Sequence, residues 1–365
     1  MSDYPLERRI AIVDDYDKTL TEQYMQIPFL EAHFDNIVEH HDEKWKRPDE
    51  SVIRIRKPED WFQIVDAWGV PNNGISYLSQ FLVDIKDGVF PNITNDILKE
   101  FGSQVKLAPG LPEFYGALKE KWKNECEISN FILSVGFKAM IEGSAVASHV
   151  DGIYGTEFVS LAHKADVARG IDPPREPVLD AIKCAVTPFS KSQHMIEIAK
   201  GGPENVDKLM SHSEYAFDYR NMITRGDSGT DISQFAIMRK RGAKTLCLYK
   251  LGDVDAFNKI MGNPLVRDRA HALHQRDYTV GSRHWGSING IIAQMLNRKC
   301  DYDPVILDIY RKHKLRDTEI DAIVGKHIEN CPECSGLYQF DWERPSPAYQ
   351  VKQIWVTNEE LHKVA

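Results

Sequence analysis

Asp15 and Asp17 stand two residues apart in the run Asp15-Tyr16-Asp17-Lys18-Thr19, which Asp14 separates from the apolar stretch Ile10-Ala11-Ile12-Val13. Two carboxylates placed this way can divide a displacement at phosphorus between them. One attacks, and the other protonates the leaving oxygen and then activates water. Such chemistry also needs a hard cation held by carboxylates, and donors for the equatorial oxygens of the phosphoryl group. The chain offers both. Thr19 adds a hydroxyl beside the carboxylates, and Ser134 adds another at the end of the strand-like segment 128–133, with Gly136 letting the backbone approach closely. Lys191 supplies a cation just before a helical pattern, where a helix N-terminus also favours an anion. Asp227 and Asp231, in Gly226-Asp227-Ser228-Gly229-Thr230-Asp231, add carboxylates for a metal.

The elements that must carry these residues can be read from apolar patterning. Residues 10–13, 128–133, 221–224 and 245–249 form short apolar runs of the kind buried in a parallel sheet. Three of the four end in residues capable of chemistry. Helical spacing separates the runs. Leu111, Phe114, Leu118 and Trp122 mark one helix face, with Pro112 suited to the first turn. Ser192 suits the cap of a helix ending at Lys200-Gly201-Gly202, and Ile232, Phe235 and Ala236 begin a helix stopped by Gly242. Strand–helix alternation predicts an α/β fold, Rossmann-like and three-layered, with the ligand beyond the carboxyl ends of the strands. Residues 22–105 break the rhythm and read as an inserted, mostly helical cap. The expected organisation is therefore a core of residues 1–21 and 106–255, a cap of 22–105, and a C-terminal extension of 256–365 with helical patterns near 287–297 and 304–313.

Taken in order, the chemical residues resemble the four motifs of the haloacid dehalogenase superfamily. Asp15, Asp17 and Thr19 match Asp-x-Asp-x-Thr after a strand, Ser134 matches the Ser or Thr motif, Lys191 the lysine motif, and Gly226, Asp227 and Asp231 the Gly-Asp-x-x-x-Asp motif. Leu107-Ala108-Pro109-Gly110-Leu111 resembles the segment that re-enters the core after a cap. The resemblance covers residues 8–250. It implies a phosphatase with Asp15 as a nucleophile that becomes an aspartyl-phosphate, and Asp17 as general acid and base. Magnesium would be held by Asp15, the Asp17 main-chain carbonyl and Asp227, with Asp231 supporting the metal or orienting Lys191. Ser134 and Lys191 would hold the phosphoryl group. The place of the insert resembles the cap type of phosphoserine phosphatases and phosphonatases. Asp14, Lys18 and Arg225 depart from the usual pattern. A phosphotransferase of the same superfamily, and a non-catalytic binding protein on the same fold, remain open alternatives.

Other features have plainer readings. Asp231 can serve as a helix N-cap. Arg54 and Arg56 could reach an anion but usually pair on a surface, and the aromatic residues of 22–105 read as packing. His327, Cys331 and Cys334 have the spacing of three zinc ligands, with His313 or Cys300 as a fourth; with no second Cys-x-x-Cys, reduced thiols are the default. His271, His274 and His284, near Arg267, Arg269 and Arg283, read as a basic surface or interface, with contact to the active site or a partner as the alternative. The formal net charge of -9 disfavours nucleic acid and anionic lipid as partners and leaves small phosphorylated molecules admissible. No long apolar run or signal-like N-terminus is present, and six cysteines are too sparse for a disulfide framework, so a reducing cytoplasm is the expected setting.

Overall fold

A computed structural model describes residues 4–68, 75–170, 177–227, 231–298, 326, 340–342 and 355–356. Its strands are β1 (Arg9–Asp14), β2 (Glu127–Phe137), β3 (Gly152–Val159), β4 (Ala181–Cys184), β5 (Met222–Gly226), β6 (Lys244–Tyr249), β7 (Ala272–Gln275), β8 (Phe340–Trp342) and β9 (Trp355–Val356). The chain divides into two compact units. One comprises Met1–Leu20, Ala108–Phe131 and Ser192–Ala365, the other Thr21–Leu107 and Ile132–Lys191. β2 is split between them after Phe131.

In the first unit β1, β5, β6, β7, β8 and β9 lie side by side in that order. The pairs from β1 to β8 are parallel, and β8–β9 is antiparallel. β1 carries the apolar run Ile10–Val13, and β5 is buried along its whole length although it includes Thr224 and Arg225, as expected of inner strands covered on both faces. Successive residues of β7 show the two faces directly. Leu273 joins a core cluster with Phe235, Cys247, Tyr249, Phe257 and Val266, residues of β6 and of the helices Ile232–Lys240, Val254–Met261 and Pro264–Arg269. Its neighbour His274 faces the other way, bonding Ser287 of the helix Arg283–Leu296 at 3.0 Å. Helices therefore cover both faces, giving the three-layer α/β arrangement read from the sequence. Each large apolar side chain buried in these layers contributes about 1.5–3 kcal/mol.

Several local expectations change. His271, His274 and His284 are buried, at 8%, 0% and 1% exposure, so the histidine-rich stretch is no surface. The cause is β7, which is an inner strand flanked by β6 and β8, and the helix Arg283–Leu296 packed on it. Ser192 is no cap: Lys191 already begins the helix Lys191–Lys200, its N–H donating to the Thr187 carbonyl. Pro112 takes the N-cap position of the helix Glu113–Trp122 rather than a place in its first turn. β2 continues through Ser134 and Gly136 to Phe137, so both lie within the strand.

The second unit carries the helices Ile27–Ala32, Phe34–His41, Ser76–Lys86 and Asn95–Gly102, and β3 pairs antiparallel with β4. Of its aromatic residues, Phe29, Phe81 and Phe90 are packing, buried against one another. Arg54 and Arg56 make exposed ion pairs with Glu43 and Asp42. Among the described residues no helix is long and apolar enough to cross a membrane. His327, Cys331, Cys334, His313, Cys300 and the helical pattern at 304–313 lie outside the described residues.

Candidate active site

β1 and β5 are parallel neighbours in register, Asp14 opposite Arg225, so both chains leave the sheet at the same end. Asp15 follows β1, its N–H donating to the Arg225 carbonyl at 2.9 Å. Asp227 follows β5 directly. Asp231 sits at the N-cap position of the helix Ile232–Lys240, yet its side chain makes no cap bond there. Instead Asp15, Asp227 and Asp231 offer carboxylate oxygens that all lie within 4.8 Å of one another. Gly226 makes this possible, because a Cβ there would collide with the Asp231 carboxylate.

Three carboxylates this close repel one another unless a cation sits among them. The donor set is all oxygen, and two of its three members are buried, which suits a hard divalent cation such as magnesium. Asp15 is 7% exposed and Asp231 1%. Thr19 Oγ1 donates to Asp15 Oδ2 at 3.3 Å, and the turn between them closes through Thr19 and Leu20 N–H groups donating to the Tyr16 carbonyl. Lys18 occupies the left-handed region with φ 57°, which a lysine adopts only at a cost. Asp17 is partly exposed and stands outside the carboxylate cluster.

Ser134, Gly136 and Lys191 belong to the second unit. Ser134 is buried, and its Oγ accepts the Gly136 N–H at 3.0 Å. A Cβ on Gly136 would strike the end of Met25, whose sulfur accepts the Phe137 N–H at 3.2 Å. Lys191 is fully buried at the start of its helix.

Behind Asp15 lies a network that the motifs do not announce. Asp14 and Arg225, both departures from the motif pattern, are partners. Arg225 Nε donates to Asp14 Oδ1 at 2.5 Å and Nη2 to Oδ2 at 2.7 Å, and neither side chain is exposed. Tyr115 O–H donates to Asp14 Oδ2 at 2.5 Å. The guanidinium lies over the rings of Phe114 and Tyr278, at 4.9 and 5.0 Å from their centroids. Arginine only donates, so its Nη1 contact at 2.9 Å makes His284 Nε2 the acceptor and places the imidazole proton on Nδ1. Burial, then the Arg225 charge and His274, hold His284 well below the usual histidine range and keep it neutral. Burial and the Asp14 charge push the Tyr115 phenol well above its usual range. Burial opposes the Arg225 charge, but Asp14 together with Tyr278 and Tyr115 outweighs it, and the guanidinium binds its proton more tightly than usual. The cross-strand register is the signal that pairs Asp14 with Arg225.

No family model matches the chain. It is 26% identical over 285 residues to an uncharacterized protein of Borreliella burgdorferi, covering 76% of this chain and 94% of that one. Among solved structures it is similar to a substrate-bound phosphoserine phosphatase, at 12% identity and TM-score 0.44 over 75% of this chain and 95% of that one. A haloacid dehalogenase family hydrolase of Salmonella enterica serovar Typhi gives 15% identity and TM-score 0.42, covering 75% and 68%. A gene product of Archaeoglobus fulgidus gives 11% and 0.44, covering 90% and 98%. By its own strand order, with Asp15 and Asp227 following adjacent parallel strands, the chain has the Rossmann-like α/β arrangement that the sequence predicts.

Proposed function

We propose that the chain is a magnesium-dependent phosphatase acting on a small phosphorylated molecule through an aspartyl-phosphate on Asp15. The observation that carries this reading is the convergence of Asp15, Asp227 and Asp231 at the shared end of β1 and β5. Asp15, Asp227 and Asp231 would hold the metal, with the Asp17 main-chain carbonyl, and bound magnesium would neutralise charge on the phosphoryl oxygens. Asp15 is fixed by its own N–H and by Thr19, which leaves its carboxylate preorganised for attack. Asp17, outside the cluster and partly exposed, is the residue to protonate the leaving oxygen and then to take the proton of the attacking water. Ser134, Gly136 and Lys191 would bind the phosphoryl group, as the motif resemblance implies. Residues 22–105 would act as the cap that selects the substrate, residues 1–21 and 106–255 as the catalytic core, and 256–365 as an extension.

Purified protein with magnesium should hydrolyse members of a phosphorylated-metabolite panel. Asp15→Asn should abolish turnover while the protein stays folded; retained hydrolysis would remove Asp15 from the reaction.

A further inference from the structure

The Asp15–Thr19 turn is held from behind by a residue that belongs to no motif. Tyr278 lies in the loop between β7 and the helix Arg283–Leu296, beyond the stretch that carries the motif resemblance. It is fully buried, and its hydroxyl donates to the main-chain carbonyl of Thr19 at 3.0 Å. Thr19 in turn donates to Asp15 Oδ2. We propose that Tyr278 is a positioning residue for the Asp15 carboxylate, so that the region after residue 256 forms part of the catalytic centre's support. The proposal rests on the reading of Asp15 as nucleophile.

The loop is built to hold Tyr278 still. Its N–H donates to the Pro109 carbonyl at 2.8 Å. Gly110, at φ 85°, lets the Tyr278–Thr279 backbone approach so closely that any Cβ would collide with it. The ring is packed edge-on against Phe114 and His284, at 5.2 and 5.1 Å between centroids, and its face carries Arg225. Burial pushes the phenol well above its usual range, so the hydroxyl stays a neutral donor across the working pH range. Phenylalanine would satisfy every ring contact. The hydroxyl alone reaches the turn that bears Asp15, so packing does not account for it. Misplacing a reacting group by a fraction of an ångström is costly, which makes a rigid strut at this point consequential.

Tyr278→Phe separates the two roles, because it keeps the ring and removes only the bond to Thr19. Amide exchange and steady-state kinetics are measured side by side on the full chain. The expected result is exchange about tenfold faster at the Thr19 and Leu20 amides, with Ile12 and Ile223 unchanged, and kcat lowered about tenfold with KM within about twofold. Unchanged exchange at Thr19 and Leu20 overturns the proposal, whatever the activity. So does faster exchange with unchanged kcat, and so does faster exchange spread through β1, which would mark a general loss of packing. Absence of turnover in the unsubstituted protein would instead defeat the phosphatase reading, and the exchange result would still decide whether Tyr278 holds the turn.

Discussion

Cutting the Asp14–Arg225 pair on one side only is the sharpest perturbation of the fold beneath the site. Both side chains are fully removed from water, and the carboxylate accepts three donors, two from Arg225 and one from Tyr115. Two opposite charges about 4 Å apart attract by about 4 kcal/mol at the effective dielectric of a protein site. Stranding one of them costs about 3–5 kcal/mol. Arg225→Met keeps an unbranched apolar stem, removes the guanidinium that lies over Phe114 and Tyr278, and leaves Asp14 with Tyr115 alone. Asp14→Asn leaves the guanidinium with a neutral acceptor and neutral His284. A lone buried carboxylate can take up a proton, whereas a guanidinium cannot shed one, so Asp14→Asn should be the costlier change. Joining the two substitutions should recover much of the loss, with a coupling free energy of about 2–3 kcal/mol. Native-state amide exchange at Ile12 and Ile223, central in β1 and β5 and paired in register, reads the stability of this unit directly. A cost for Arg225→Met below about 1 kcal/mol, or strictly additive effects in the double substitution, would refute the reasoning.

Three further outcomes follow from particular residues. Asp227→Asn and Asp231→Asn should each weaken magnesium binding by at least about tenfold in a calorimetric titration, and unchanged affinity would remove that residue from the ligand set. His284 is held neutral, so in the acid range the unfolded chain binds a proton that the folded chain refuses. Stability is then fully present above about pH 6.5 and is lost as pH falls below it, by up to about 1.4 kcal/mol per pH unit. The His284→Gln variant should show a flatter loss between pH 7 and pH 5.5 in urea unfolding. Lys18→Gly should be neutral within about 0.5 kcal/mol, because relief of the left-handed strain offsets the added chain freedom, whereas Lys18→Val should cost about 1–2 kcal/mol.

What the sequence discloses here, and what it hides, divides along physical lines. Runs of buried residues such as Ile10-Ala11-Ile12-Val13 declare parallel strands locally, and carboxylates after such runs declare a site, because both signals need only neighbours in sequence. The partner of Asp14 does not declare itself. Asp14 and Arg225 look like two separate anomalies until β1 and β5 are set in register, and then each explains the other. The buried histidines mislead for the same reason. His271, His274 and His284 share their stretch with arginines and look solvated, while His271 bonds Thr245 of β6 and the helix Arg283–Leu296, packed on β7, sets His284 against His274. Tyr278 carries no local mark at all, since its role depends on Pro109 and Gly110, far away in sequence. Asp231 shows a third case, in which one position satisfies two patterns. It stands at a helix N-cap, and only the structure shows its carboxylate committed to the acidic cluster.

The central claim is the covalent one, that Asp15 carries the phosphoryl group between the two half-reactions. An acyl phosphate is reduced by borohydride, which turns the aspartate that bore it into homoserine. Turnover of an active substrate with magnesium, quenched into borohydride and followed by peptide mass spectrometry, should find homoserine at position 15 and intact aspartate at position 17. Homoserine at another carboxylate, or none anywhere while hydrolysis proceeds, would contradict the account.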